Sequence, residues 1–212
     1  MAGSDDTPDL EAAYALKTPD DSKALYRDWA ATYDETFAAA MGYAAPGRIA
    51  ALFDRRWAGG GRVLDVGCGT GLVAEELAAR PVDGLDISAE MLAVAAQKGV
   101  YERLIEGDLT ARLAIADDSY AGLISAGTFT HGHVGPGALD ELVRIAAPEA
   151  LFVFGVNAEV FRELDFGAKL DALESAGRIC GAELVEGRIY EDAASHGVAD
   201  DRFLATVFRK PV

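Results

Sequence analysis

The stretch that determines the fold is Arg62-Val63-Leu64-Asp65-Val66-Gly67-Cys68-Gly69-Thr70-Gly71-Leu72-Val73. It opens with a short apolar run, which is typical of a strand that is buried on both faces. Three glycines follow within five residues, and the pattern from Leu72 to Arg80 predicts a helix. Because glycine lets a ligand approach the backbone closely, a strand that turns through glycines into a helix indicates a ligand-binding site.

The spacing of these glycines distinguishes two kinds of ligand. It reads G-x-G-x-G, and Leu72 stands where the third glycine of the dinucleotide pattern G-x-G-x-x-G would be. Asp65 lies two residues before the first glycine, near the end of the predicted strand. An acidic side chain at that place favours a ligand that carries a positive group over a pyrophosphate.

An acidic residue recurs at or near the end of each of the next two predicted strands. Asp65, Asp86 and Asp108 are 21 and 22 residues apart, and the strands are Val63–Val66, Val82–Ile87 and Val100–Glu106. Each interval has room for a strand, a helix and two short loops, which is the period of βαβ units in a parallel sheet. In a doubly wound sheet of this kind, the ligand lies across the carboxyl ends of the strands.

The second half of the chain continues the pattern with less regularity. It predicts strands and extended runs over Tyr120–Ser125, Leu151–Val156, Arg178–Val185 and Arg202–Arg209, a loop over Ala126–Gly135 and helices over Gly137–Ala146 and Phe166–Ala176. We therefore expect an α/β fold with a seven-stranded, mostly parallel sheet that the last two runs complete.

The residues ahead of the first strand predict helices. Leu25, Trp29 and Tyr33 recur every four residues within 21–40 and share one helix face, and a further helix is predicted over Pro46–Trp57. This face either packs on the core or covers a ligand. The preceding residues, Met1–Pro8, predict a disordered tail.

Length, charge and cysteine content narrow the possible functions. The 212 residues suit one domain over 1–212, with a tail and helical lid in 1–58 and the core in 62–212. The net charge of −16 disfavours nucleic acid and anionic membrane partners. No apolar run is long enough for a membrane helix, and Met1–Asp9 lacks the features of a signal peptide, so we expect a cytoplasmic protein. Cys68 and Cys180 are expected to be free thiols.

Three segments resemble one family. The glycine stretch resembles the first motif of class I S-adenosylmethionine-dependent methyltransferases. The run from Tyr26 to Asp34, YRDWAATYD, resembles the helix that precedes this motif in many small-molecule methyltransferases. The run from Ser125 to Ile145 resembles methyltransferase-like proteins of the Williams–Beuren syndrome region, which are related to the ubiquinone/menaquinone-biosynthesis methyltransferases.

The resemblance implies a Rossmann-like fold with an N-terminal helical lid, an antiparallel seventh strand and S-adenosylmethionine as the cofactor. It implies that the glycine turn passes beneath the amino-acid half of the cofactor, that Asp65 pairs with its amino group, and that Asp86 binds the ribose. Adenine would meet Asp108 and Leu109 and lie between Ile87 and Met91. The complete set of implied cofactor-binding residues is Tyr33, Asp65, Gly67, Cys68, Gly69, Gly71, Leu72, Asp86, Ile87, Met91, Asp108, Leu109, Ser125, Ala126 and Gly127.

His131 and His133 are the candidate catalytic residues. They follow the fourth predicted strand, and one of them, preferably His131 as the nearer to the strand end, is expected to act as a general base. Two histidines at this spacing would need further ligands to hold a metal, and no second His/Cys cluster exists in the sequence, so no metal is expected.

Two other functions stay open at this point. They are a nicotinamide-dependent oxidoreductase, disfavoured by Leu72, and a non-catalytic cofactor-binding module. For a methyltransferase, we expect a small uncharged or cationic acceptor and a monomer or homodimer. The acceptor's identity, and which of its atoms receives the methyl group, do not follow from the sequence.

Overall fold

The computed structural model describes residues 19–30, 32–77, 80–191 and 201–212. The strands are β1 Val63–Val66, β2 Val82–Asp86, β3 Arg103–Glu106, β4 Tyr120–Phe129, β5 Ala146–Asn157, β6 Cys180–Arg188 and β7 Arg202–Arg209. The helices are α1 Pro19–Trp29, α2 Ala45–Arg56, α3 Leu72–Glu76, α4 Ala89–Lys98, α5 Ala138–Ile145, α6 Ala158–Glu163 and α7 Phe166–Ser175. A π-helical segment, Tyr33–Ala38, and one α-helical turn, Ala39–Met41, lie between α1 and α2. The tail expected over Met1–Pro8 lies outside the described residues.

The seven strands form one sheet in the order β3-β2-β1-β4-β5-β7-β6. Strand β7 runs antiparallel to β5 and β6, and the neighbouring pairs from β3 to β5 are parallel. All four residues of β1 are buried, as the apolar run of the glycine stretch predicts. The expected seven-stranded α/β fold, with its antiparallel last strand, is therefore confirmed.

Apolar side chains cover both faces of the sheet. Ile49 and Phe53 of α2 belong to one buried cluster, and Leu139 and Leu142 of α5 belong to another. Helix α4 begins at Ser88, whose Oγ accepts a hydrogen bond from the Met91 amide at 3.2 Å. This cap fixes the start of the helix directly after β2, at the carboxyl edge of the sheet.

Several predicted boundaries differ from the structure. Strand β4 continues to Phe129 instead of ending at Ser125, because its residues beyond Ser125 still pair with β5. Ala126 and Gly127 are therefore strand residues and not part of a loop, although the register shifts between Ala126 and Phe129. The helix expected over 21–40 is interrupted, since α1 ends at Trp29 and the next segment is π-helical.

Two helices also differ from the prediction. Helix α3 ends at Glu76, earlier than expected, and α6 was not predicted. Asn157 caps α6, because its Oδ1 accepts hydrogen bonds from the amides of Glu159 and Val160. Within the part of the chain that the structure describes, no helix has both the length and the apolar character needed to cross a membrane.

Candidate active site

A cavity of about 970 Å³, part of it open to solvent, lies at the carboxyl ends of the central strands. Most of the residues expected to bind a cofactor, and one of the two histidines, line it: Tyr33, Gly67, Cys68, Gly69, Leu72, Asp86, Ile87, Met91, Asp108, Leu109, Ala126, Gly127 and His133. We call this space the first cavity.

All three glycines of the turn have a positive φ, 65° at Gly67, 51° at Gly69 and 101° at Gly71, which favours glycine, and they differ in what surrounds them. A Cβ atom on Gly67 would come within 2.0 Å of the Thr128 hydroxyl, and one on Gly71 would lie 3.1 Å from the Tyr101 ring. A Cβ atom on Gly69 would meet nothing within 4 Å, so this residue faces open space in the cavity wall. Gly67 and Gly71 therefore serve packing, and Gly69 leaves room for a ligand.

Asp86 connects the second strand to the glycine turn. Its Oδ2 accepts a hydrogen bond from the Gly69 amide at 2.8 Å, and its Oδ1 accepts one from the Ser88 amide at 2.9 Å. Burial raises the pKa of this carboxyl, while the backbone hydrogen bonds oppose the rise. Each carboxylate oxygen retains acceptor capacity, so Asp86 holds the turn in place and can still bind hydroxyl groups of a ligand.

Asp108 is also fixed by its own loop. Its Oδ1 accepts hydrogen bonds from the Thr110 amide at 2.8 Å and from the Thr110 hydroxyl at 2.6 Å. The Oδ2 atom remains available to a ligand. Ile87, Met91 and Leu109 supply apolar surface to the same end of the cavity.

Asp65 does not line the first cavity. It is fully buried in β1, and its Oδ2 accepts a hydrogen bond from the Tyr101 hydroxyl at 2.7 Å. Its Oδ1 is buried and has no hydrogen-bond partner among the described residues. Burial raises the pKa of this carboxyl to about 7; the hydrogen bond from Tyr101 opposes the rise, and the negative charge of Asp86 adds to it.

Three further predicted residues do not line the first cavity. Gly71 packs against Tyr101, and Ser125 is fully buried with its hydroxyl donating to the Val66 carbonyl at 2.7 Å. His131, the preferred candidate for the general base, does not line the first cavity, and His133 does. His131 lies outside the cavity wall, with its Nε2 3.6 Å from a carboxylate oxygen of Glu159 on α6.

His133 lies in the cavity wall and makes two hydrogen bonds. Its Nδ1 is 2.6 Å from the His131 carbonyl oxygen, and its Nε2 is 2.8 Å from the Tyr26 hydroxyl. A carbonyl can only accept, so Nδ1 carries the proton and the Nε2 of the neutral ring accepts from Tyr26. Burial is the main cause that lowers the pKa of His133, which keeps the ring neutral.

The segments ahead of β1 close one side of the cavity. Tyr26 of α1 and Tyr33 of the π-helical segment line it, with their ring centroids 6.3 Å apart. Asp34 ties this lid to the sheet, because it accepts a hydrogen bond from the Thr70 hydroxyl at 2.5 Å and pairs with Lys98 at 2.6 Å. Tyr33 is therefore at the cavity wall, as the resemblance implies.

The sequence prediction missed Tyr26, Tyr43, Thr70 and Thr128, which also line the first cavity. Tyr26 lies seven residues before the predicted Tyr33, a helical spacing that could have identified it. Tyr43 and Thr128 are brought to the first cavity by contacts between distant parts of the chain, and no local sequence pattern indicates them. In the described ranges, no group of three or more His, Cys, Asp or Glu side chains could hold a metal ion.

A second cavity adjoins the first. The two share a wall formed by Tyr26, Tyr33, Tyr43, Ala126, Gly127 and His133. The second cavity extends toward β5 and β7, where Phe129, Asn157, Tyr190 and Phe203 line it. Two neighbouring cavities with a common wall suit a protein that brings two ligands together.

The sheet order, the glycine turn and the cavity at the strand ends are those of α/β proteins that bind a nucleoside-containing ligand. A family model described as a methyltransferase domain matches residues 64–154. The chain is 30% identical over 180 residues to methyltransferase-like protein 27 of Homo sapiens, a match that covers 79% of this chain and 72% of that protein.

Two other comparisons agree. The chain is 38% identical over 100 residues to the malonyl-[acyl-carrier protein] O-methyltransferase of Pectobacterium atrosepticum, covering 46% of this chain but only 39% of that protein. The solved structure of a putative S-adenosylmethionine-dependent methyltransferase from Methanococcus maripaludis superimposes with a TM-score of 0.61 at 16% identity, covering 90% of this chain and 93% of that one. This chain belongs to the class I S-adenosylmethionine-dependent methyltransferases, and its cofactor is S-adenosylmethionine.

Proposed function

We propose that the protein transfers a methyl group from S-adenosylmethionine, bound in the first cavity, to a small-molecule acceptor. The observation that supports the proposal most directly is the open space at Gly69 in the cavity wall. Asp86, at the end of the next strand, lies beside it. Membership of the methyltransferase family removes both the nicotinamide-dependent oxidoreductase and the non-catalytic module as alternatives.

The described residues fit the cofactor on chemical grounds. Asp86 would accept hydrogen bonds from the ribose hydroxyls, and Asp108 would accept one from the adenine amino group beside Ile87, Met91 and Leu109. The unpartnered Oδ1 of Asp65 is a buried acceptor that would pair with the amino group, directly or through water. Tyr33 would place an aromatic face near the sulfonium, an interaction worth about 0.5–2 kcal/mol. The cofactor supplies an electrophilic methyl group.

Two observations favour a small acceptor. The net charge of −16 opposes nucleic acid and anionic membranes. Neither cavity has a lysine or arginine among its described lining residues, so neither offers a cation for a phosphate or carboxylate. This absence also argues against the substrate named for the relative from Pectobacterium atrosepticum, since O-methylation of a malonyl group requires binding a carboxylate.

Positioning and desolvation account for much of the expected rate. Holding two reactants in line can supply about 7–11 kcal/mol of the barrier reduction. The lid residues Tyr26 and Tyr33, which belong to the shared wall, would exclude water from the junction of the two cavities. His133, and not His131, is the titratable histidine at this junction.

Calorimetry with S-adenosylhomocysteine, the demethylated product, tests the cofactor site. Asp86→Ala should weaken binding by roughly 2–4 kcal/mol, because one or two charge-assisted hydrogen bonds are lost together with the support of the Gly69 amide. The matched control is Asp171→Ala, an exposed aspartate of α7, which should bind as the wild type does. Equal binding by wild type and Asp86→Ala would refute the assignment.

A transfer assay with S-adenosylmethionine tests the acceptor class. The wild-type enzyme is incubated with small metabolites, with acyl carrier protein bearing a malonyl group and with RNA, and methylated product is measured by mass spectrometry. We expect product from the small molecules. Transfer to the carrier-bound malonyl group or to RNA, with none to small molecules, would refute this part of the proposal.

A further inference from the structure

The second cavity contains the features of a binding site for an aromatic or apolar molecule. Tyr43, Tyr190, Phe129 and Phe203 give it aromatic walls. Its polar lining residues include Thr130 and Asn157, and the Nδ2 of Asn157 donates a hydrogen bond to the buried carboxylate of Asp201 at 3.1 Å. The site therefore combines aromatic surface with acceptor and donor groups and with no cation among its described lining residues.

The shared wall carries one pair of side chains that can move a proton. The Tyr26 hydroxyl, 2.8 Å from the Nε2 of His133, belongs to both cavities, as does His133 itself. The His131 carbonyl holds the Nδ1 proton of His133, so Nε2 is the free basic position of the ring. The Tyr26 hydroxyl donates to this nitrogen, and its oxygen lone pairs remain available to a third group.

We propose that the second cavity binds the methyl acceptor, a small aromatic or apolar molecule with a hydroxyl or amino group and no carboxylate or phosphate, and that Tyr26 takes the acceptor's proton while passing its own to His133. The proposal rests on the proposed function, since it assumes that the methyl donor lies in the first cavity. It makes Tyr26 a catalytic residue, because its hydroxyl would touch the reacting atom, and His133 the final proton acceptor.

The step balances in atoms and charge. The acceptor's lone pair forms the new bond to the methyl carbon, the carbon–sulfur bond breaks with its electron pair left on sulfur, and the acceptor's N–H or O–H proton moves to the Tyr26 oxygen. The phenolic proton of Tyr26 moves to Nε2 of His133 at the same time. One positive charge, on sulfur before the reaction, is on the imidazolium afterwards.

The surroundings of the pair set its protonation state before the reaction. Burial, and the negative charge of Asp86, raise the pKa of Tyr26, so the tyrosine does not stay ionised. Burial lowers the pKa of His133, while the hydrogen bond to the His131 carbonyl opposes this and the charge of the His131 ring adds a smaller lowering, so the ring is neutral before the reaction. The other titratable side chains that line the first cavity with the pair are Tyr33 and Tyr43 from the lid, Cys68 on the glycine turn, and Asp86 and Asp108 at the strand ends.

The hydrogen bond between Tyr26 and His133, and the protonation of the His133 ring, can be tested on the ligand-free enzyme by ¹⁵N and ¹³C NMR of the histidine rings. The chain has three histidines, so the signals can be assigned with His131→Ala and His133→Ala. We expect His133 to be protonated on Nδ1 and unprotonated on Nε2 when neutral. Tyr26→Phe removes the oxygen that can accept a hydrogen bond from the Nε2–H of the charged ring, which is a stronger bond than the one it donates to the neutral ring, so the pKa of His133 should fall. The control Tyr43→Phe should leave it unchanged. A ring protonated on Nε2, or a pKa insensitive to Tyr26→Phe, would overturn the proposal.

Kinetics test the proton transfer itself. With S-adenosylmethionine and a panel of small phenols and aromatic amines, Tyr26→Phe and His133→Ala should each lower kcat by about a hundredfold or more, and the double variant should fall no further. His131→Ala should keep kcat near the wild-type value, since its backbone carbonyl remains. Wild-type kcat in Tyr26→Phe, or no transfer by the wild type to any panel member, would overturn the proposal.

A calorimetric titration with S-adenosylhomocysteine distinguishes failure of the proposed function from failure of the proton-transfer proposal. A wild-type enzyme that does not bind this ligand refutes the proposed function. A wild-type enzyme that binds it, but whose His133 fails the NMR or kinetic test, refutes the proton transfer through Tyr26 and leaves the proposed function standing.

Discussion

Replacement of Asp65 by asparagine should make the protein more stable, by an amount that grows with pH. Asp65 is fully buried, one of its oxygens has no partner among the described residues, and its pKa is raised from 3.8 to about 7. A carboxyl whose pKa is raised on folding stabilises the fold only while it is protonated. This contribution is complete below about pH 4 and is lost as the pH rises through 7.

The size of the effect follows from the shift in pKa. A shift of about 3 units corresponds to about 4 kcal/mol between the two protonation states. Asparagine stays neutral, and its Oδ1 can still accept the hydrogen bond from Tyr101. The advantage of Asp65→Asn over the wild type should therefore increase by roughly 2–3 kcal/mol between pH 5 and pH 8.

Urea denaturation at pH 5, 6.5 and 8, without ligand, measures this difference directly. The exposed Asp171 provides the control, since Asp171→Asn should track the wild type at every pH. A cofactor amino group near the free oxygen of Asp65 would favour its ionised form, so the wild type should bind S-adenosylhomocysteine more tightly at pH 8 than at pH 6. A stability difference that does not change with pH would refute the reasoning about this carboxyl.

Three other changes test separate parts of the account. Tyr33→Ala should weaken S-adenosylmethionine binding by about 1–2 kcal/mol and affect S-adenosylhomocysteine, which lacks the sulfonium, less; equal calorimetric losses would show that Tyr33 only packs. Asp34→Ala removes the acceptor of the Thr70 hydroxyl, so limited proteolysis should cut the lid faster, and an unchanged rate would contradict the tether. Gly67→Ala should lower the melting temperature, because its Cβ would lie 2.0 Å from the Thr128 hydroxyl; an unchanged value would contradict the packing role.

The parts of the fold that local sequence determines were predicted well. The glycine turn and the regular spacing of Asp65, Asp86 and Asp108 gave the parallel half of the sheet, since each βα unit is built from neighbouring residues. The positions of the strand ends were predicted less accurately. Strand β4 extends past Ser125 because β5 pairs with it, and such pairing depends on residues far apart in the sequence.

In the candidate site too, features set by neighbouring residues were predicted better than features set by residues far apart in the sequence. Residues on the glycine turn and at the strand ends lie at the first cavity, because their backbone position fixes their direction. Asp65 and Ser125 are fully buried and do not line the first cavity, and the apolar pattern of a doubly buried strand does not reveal this. The choice between His131 and His133 depended on the contact with Tyr26, which is 107 residues from His133 in the chain, and no local pattern contains it.

The central claim is that the open space at Gly69 holds the methyl donor, and calorimetric titration of S-adenosylhomocysteine into wild type and Gly69→Val tests it most directly. A valine side chain at this position would occupy the space that the ligand needs. We predict one site per chain in the wild type and no binding by the variant, with circular dichroism showing that the variant keeps its fold. A wild type that gives no heat and no shift of melting temperature at millimolar ligand, or a folded Gly69→Val variant with wild-type affinity, would contradict the account.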